Sequence, residues 1–543
     1  MGNIRNPFRS IVLLVLVTMA GNVANAARYH LSSSGGDDNA AGTDPGSAWK
    51  SLGKINGTTF KAGDTVLLAA GGMWTGQFHP KGSGSAASPI ILDTFGIGNR
   101  PILNGGGVTG NATLYLFHQS FWEVRNLEIT NNAATAGDRR GVLITGPCAH
   151  IHLTGLSIHD IKGIVGQDGA AKATGGISFD GDGDDILVEK CSLAKIDNTG
   201  LFTDGNYTRL RFRNNSINDI AKNAIILRGA DSTCVVEYNV CYNTAARATT
   251  GNMIFSTNCN GTVFQFNEGY LNKATGPFDG SLYDLDINGG SNTKWQYSYS
   301  HDNAYGFMWF CCQAADTGVV VRYNISQNDK RKIFSFVRDL GGTSIYNNVV
   351  YVDPGLSPSI VSVSHNYSQK VSFYNNIIYN LSATADYVFN TPSAHVFDYN
   401  VFFGKHPASE PKDAHKLTSD PMFKNPGAGA IGLNTLAGYA LQPGSPCINS
   451  GKTVPHMGPR DFFGNPLGLD APDRGVFEAS NPLPARASRP FPQRVPAHPL
   501  ALYDARGAVI GAYAGPGSAG VANPGRPKAV QRYLIRSGNR TAP

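Results

Sequence analysis

The chain has 543 residues, of which 41% are hydrophobic and 15% charged, and a formal net charge of +6. So small a charge, with no basic face interleaved with aromatics, excludes a nucleic-acid partner, and the apolar content is too high for a disordered chain. Glycine and asparagine punctuate short apolar runs throughout and little follows a helical period, so the expected class is all-β.

At the N-terminus, Arg5 and Arg9 precede the apolar run IVLLVLVTMA, and Ala24, Asn25 and Ala26 follow as a small-x-small cleavage site. Residues 1–26 therefore read as a signal peptide and the protein as secreted or periplasmic. The run is shorter than the ~20 residues a spanning helix needs, so no membrane span is expected after cleavage. Export would permit disulfides among the eight cysteines, yet none of them forms a CxxC pair, which argues against a zinc ribbon. Burial of several as small hydrophobes is an equally good account.

Further along, a unit repeats: EVRNLEI, RFRNNSI, VVEYNVCY, VFQFNEGY, VVRYNIS, SIYNNVVY, SFYNNIIY and VFDYNVFF. With Asn215, Asn239, Asn267, Ser298, Asn324, Asn348, Asn376 and Asn400 taken as equivalent, the steps are 24, 28, 31, 26, 24, 28 and 24 residues. A coil of roughly two dozen residues holding short strands, with asparagine at a left-handed bend, is the economy of a parallel β-helix. The prediction is stacked coils over about residues 100–405 with these asparagines in one line. The opening RYHLSSSGGDDNAAGTDPGSAWKSLGKIN with FKAGDTVLLAAG, and the closing DPMF, LQPGSPCINSG and DFFGNPLGLDAPDRGVFE, resemble the ends of secreted right-handed β-helix proteins of the pectate-lyase-like superfamily. The resemblance covers about residues 28–480 and implies one right-handed parallel β-helix domain over 27–480 and a carbohydrate-active enzyme.

Stacking the strands ISFDG, LFTDG, IILRG, MIFST and YDLDI gives an expected outward stripe of Asp180, Asp204, Arg228, Ser256 and Asp286, with Asp284 outward beside it. Carboxylates two apart on a strand can reach either separation used by glycosidases, ~5–5.5 Å for retention or ~6.5–9.5 Å for inversion. Asp284 and Asp286 are the candidate catalytic pair, with Asp302 and Glu268 assisting. Asp180, Asp204, Arg228, Arg247, His301 and Trp309 are candidates for substrate binding, Trp309 as a sugar-stacking ring or as core. For each acid the alternative is a solvated ladder charge.

The leading expectation is thus a glycoside hydrolase acting on a polysaccharide as a monomer, with no cofactor required. A polysaccharide lyase is the alternative. It would need a Lys or Arg base, drawn from Lys222, Arg228 and Arg247, and Ca²⁺ to offset the carboxylates; the run DGDGDD at 180–185 is the first candidate for that ion, although Asp-Gly pairs are ordinary turn formers. A third reading is a non-catalytic adhesin. The tail over 481–543, with eight arginines and one lysine against Asp504, is Pro/Gly/Ala-rich and expected to be extended and flexible.

Overall fold

The computed structural model describes residues 26–165, 174–287, 290–311, 316–338, 340–364, 371–389, 395–455, 457–468 and 471–479, and two short strands near the C-terminus. The expected signal peptide up to residue 25, and most of the tail, lie outside the described residues. The region after 488 is a unit of its own, in which Leu500–Tyr503 pairs antiparallel with Val509–Tyr513. Among the described residues, no helix is long and apolar enough to cross a membrane.

Three parallel sheets of 15, 13 and 11 strands make up the first unit. Each coil feeds them in turn: Val263–Gln265 joins the 15-stranded sheet, Glu268–Tyr270 the 13-stranded and Tyr283–Leu285 the 11-stranded sheet. Since each strand pairs with its equivalents one coil above and below, the architecture is a parallel β-helix. Coiling starts earlier than the repeat suggests. Arg28–Leu31 already pairs with Thr65–Leu68, so the opening segment is itself the first coil. Within a strand, alternation sorts the side chains: Tyr283 and Leu285 are fully buried in the core, and Asp284 between them points the other way.

The asparagines do form one line. The side-chain amide of Asn215 donates to Asn239 Oδ1 at 2.9 Å, Asn239 to Asn267 at 3.1 Å, Asn324 to Asn348 at 3.0 Å, Asn348 to Asn376 at 2.9 Å and Asn376 to Asn400 at 2.9 Å. Ser298 fills the one rung without an amide, and Asp413 closes the end, accepting from Asn400 at 2.9 Å. The bend is not made by these residues, as the repeat suggested, but by the residue before each: Asn214, Tyr238, Phe266, Tyr297, Tyr323, Asn347, Asn375 and Tyr399 have φ between 51° and 61°. Positive φ is unfavourable for a bulky residue, so a compensating contact is needed. Stacking supplies it: ring centroids are 4.8 Å apart for Tyr238 and Phe266 and 5.0 Å for Phe266 and Tyr297.

After Gly404 the chain folds back over the outside. Phe423, Leu436, Tyr439 and Phe462 pack with Phe266, Tyr299, Tyr323 and Tyr351 in a second apolar cluster. Long-range bonds pin it, as where Asn347 donates to the carbonyls of Asp473 and Gly475, both at 2.8 Å. The seven described cysteines are free thiols and all but Cys311 are buried, in line with the small-hydrophobe reading.

Candidate active site

On the 11-stranded sheet, Asp180 lies opposite Asp204, and Arg228 opposite Thr257. Asp286 N donates to Ser256 O at 2.9 Å, which sets Asp286 beside Thr257 in the same stripe. Ser256, expected in that stripe, instead stands between Leu227 and Leu285 and is fully buried. The reason is the two-residue period: Ile254 faces inward, and so must the residue two along. Arg228 is spent on the ladder, pairing with Asp204 at 3.1 Å.

Asp284 faces outward yet is 3% exposed, with Asn252 bonded to it and Trp309 opposite it on the next strand. A carboxylate so enclosed needs hydrogen bonds to offset lost hydration. Asn252 Nδ2 donates to its Oδ2 at 2.7 Å, while Asn252 Oδ1 accepts from Gly280 N at 2.7 Å and Ser281 N at 2.9 Å. Asn252 therefore ties Asp284 to the corner that carries Asp279, a part-exposed carboxylate passed over in the sequence because it lies in a loop rather than on a strand. The corner needs glycine: Gly280 has φ 127°, and a Cβ there would meet Ala274 Cβ at 2.6 Å and Tyr305 Cβ at 2.9 Å. Gly280→Ala is accordingly expected to displace Asp279 and lower activity along with melting temperature, which a paired assay and melt would show.

Trp309 stands opposite Asp284 on the next strand, between the fully buried Met308 and Phe310, so its ring is on the outward face. The Tyr305 ring meets it edge-on with centroids 5.4 Å apart, and Lys332 Nζ is 5.9 Å from the ring centre. Phe278, beside Asp279, is 51% exposed, and such an aromatic suits a sugar face. Asp284 and Asp286, two residues apart, both lie near Cys311, whose thiol is pushed up to about 12 by burial and then by the charges of Asp286 and Asp284.

Glu268 and Asp302, expected to assist this pair, and His301, expected to bind substrate, form a separate cluster on the 13-stranded sheet. Glu268 is 3% exposed and accepts from Gly432 N at 2.7 Å, anchoring the folded-back segment. His301 Nε2 lies 3.3 Å from Glu268 Oε1 and its Nδ1 2.8 Å from Asp302 Oδ2. Burial would lower the imidazole pKa, but the hydrogen bonds and charges of Asp302 and Glu268 outweigh it and raise His301 to about 9. With the folded value above the unfolded one, the stabilisation is complete below about pH 6.5 and is lost as pH rises through 9, roughly 3 kcal/mol in all. His301→Phe, which keeps the ring stack with Tyr270 and Tyr299, should abolish that part of the fall; equal pH slopes in denaturant unfolding would contradict the pairing.

Arg247 is not available to substrate as expected. It pairs with Asp197 at 3.0 Å and Asp219 at 2.6 Å and donates to Ile196 O at 3.0 Å, clamping coils together. Arg247→Ala should therefore cost stability, on the order of 3–5 kcal/mol for a charge pair with a buried carboxylate, and leave KM unchanged. In the DGDGDD run, Asp182 accepts from Asn206 at 2.8 Å, Asp184 holds Thr208 and Arg209, and Asp185 faces His150 and Arg211, so these carboxylates diverge to separate partners.

No protein-family model matches the chain. The fold is that of parallel β-helix proteins. Lacto-N-biosidase of Bifidobacterium longum is 27% identical over 85% of this chain and 37% of that protein, so the chain spans little more than a third of the relative's length. Two crystal structures of GH136 lacto-N-biosidase from Eubacterium ramulus superpose: the selenomethionine derivative with TM-score 0.57 at 23% identity, covering 65% of this chain and 68% of that one, and the native protein with 0.54 at 19%, covering 69% and 68%.

Proposed function

We propose that the protein is an exported glycoside hydrolase that cleaves an oligo- or polysaccharide on the outward face of the 11-stranded sheet, as a monomer. The observation that carries this is the set of acids on and beside this face: Asp284 opposite Trp309, Asp286 two residues along, and Asp279 at the corner that Asn252 ties to Asp284, with Tyr305 edge-on to Trp309. Asp286 and Asp279, the two part-exposed acids, are the reacting groups. Asp284, enclosed and bonded to Asn252, holds the corner that positions Asp279. One carboxylic acid donates its proton to the glycosidic oxygen, while the other carboxylate attacks the anomeric carbon or takes a proton from the water that does.

Lacto-N-biosidase, the activity in the names of the similar proteins, is the first to assay. The lyase alternative is less well supported, since Arg228 and Arg247 are spent on carboxylates and Lys222 is 4% exposed. Purified protein should release reducing ends from one member of a saccharide panel and form no unsaturated uronate. Unsaturated products would favour the lyase, and binding without turnover the adhesin.

A further inference from the structure

Four coils before Asp286, on a different sheet, the motif CAHIHLT puts two imidazoles on the outer face of the strand Cys148–Thr154. Ile151 and Leu153 are fully buried, so His150 and His152 both point outward, with ring centroids 3.9 Å apart. The coil before places Glu123 opposite His152, and the coil after brings Asp185 beside His150. His150, Asp185 and the neighbouring Phe121 all have positive φ, at 50°, 54° and 61°, a matched irregularity that draws these side chains together across three coils.

For a neutral His150 the hydrogen-bond count does not close. Nδ1 lies 2.8 Å from Asp185 Oδ2, so an N–H there leaves the Nε2 lone pair facing Glu123 Oε1 at 3.2 Å. Two lone pairs at that distance require a positive charge between or beside them. His152 Nε2 is buried, makes no hydrogen bond and is 3.4 Å from Asp185 Oδ1. Arg125 takes the other oxygen of Glu123, and Arg211 holds Asp185 Oδ1 at 2.8 Å, so each carboxylate is oriented from outside. One ligand atom from each of Glu123, His150 and His152 lies within 4.8 Å of the others.

We infer that Glu123, His150 and His152 form a zinc site, with Asp185 orienting His150 through Nδ1. Two imidazoles and one carboxylate suit Zn²⁺, whereas Ca²⁺ takes six to eight oxygens. A carboxylate on the far nitrogen of a ligating histidine is the usual outer support of such sites. Side-chain exposures of 16–20% leave a path for the ion and a fourth position for water. The metal would cross-link two successive coils, four coils from Asp286 and on another sheet, so it is a binding site of its own and independent of the proposed hydrolase reading.

Untagged, chelator-stripped protein titrated calorimetrically with ZnCl₂ tests this. Wild type should bind one Zn²⁺ and melt at higher temperature with it, and Ca²⁺ should not compete. The double variant His150→Ala, His152→Ala should lose at least ~100-fold in affinity and the zinc-dependent melting shift, and Asp185→Asn about 10–100-fold. Glu123→Gln, nearly isosteric, keeps the test valid if the double variant fails to fold. Failure of wild type to bind zinc, or equal affinity in wild type and Glu123→Gln, would overturn the assignment.

Discussion

Asp286→Asn is expected to lower turnover at least ~100-fold, the low end of what general acid–base groups contribute, with the melting temperature unchanged. The substitution keeps size and shape while removing the charge and the proton. Asp279→Asn should match it, and the fold should survive because asparagine accepts the left-handed backbone that Asp279 adopts, φ 58°. Asp284→Asn separates reaction from positioning. An amide oxygen at 284 can still accept from Asn252, so activity should fall less than in the other two variants, whereas Asp284→Ala should lose both activity and roughly 1–3 kcal/mol of stability by leaving a buried amide unpaired. Full activity in both Asp279→Asn and Asp286→Asn would remove this face as the active site.

The largest stability effect belongs to the asparagine line. Asn348 accepts from Asn324 N and Nδ2, both at 3.0 Å, and donates to Val321 O at 3.0 Å and to Asn376 at 2.9 Å. Alanine there orphans two or three buried groups at about 1–3 kcal/mol each, so Asn348→Ala should cost roughly 3–6 kcal/mol in urea unfolding. Because each coil is supported chiefly by its neighbours, protease susceptibility should rise locally before global unfolding. Asn348→Ser should be milder, since Ser298 already fills a rung with a hydroxyl that accepts from Asn267 N at 3.1 Å. A midpoint unchanged in Asn348→Ala would mean the ladder contributes nothing net.

The coils were legible in the sequence because a rung recurs every two dozen residues or so, and Asn215 through Asn400 mark it. What the asparagines do was not: the expected left-handed bend falls on the preceding residue, where Tyr238, Phe266 and Tyr297 give no local signal for positive φ and are held by stacking between coils. The stripe of Asp180, Asp204, Arg228 and Asp286 follows from alternation, but Ser256 shows how one residue of slip misplaces a side chain. Loops set the remaining differences. Asp279 lies in the loop before Tyr283–Leu285, where no alternation marks it, and Asp302 follows His301 at the end of a strand of another sheet. Long-range partners decided Glu268 and Arg247, whose contacts lie 164 and 50 residues away in sequence. His150 and His152 drew no notice for the same reason, since their partners come from other coils.

The most direct measurement is mass spectrometry of products formed in ¹⁸O-water from whichever saccharide the panel identifies. Hydrolysis at Asp279 and Asp286 predicts one ¹⁸O at each new reducing end and its loss, with turnover, in Asp286→Asn. Products without ¹⁸O, or ¹⁸O-labelled products formed equally fast by the variant, would contradict the account.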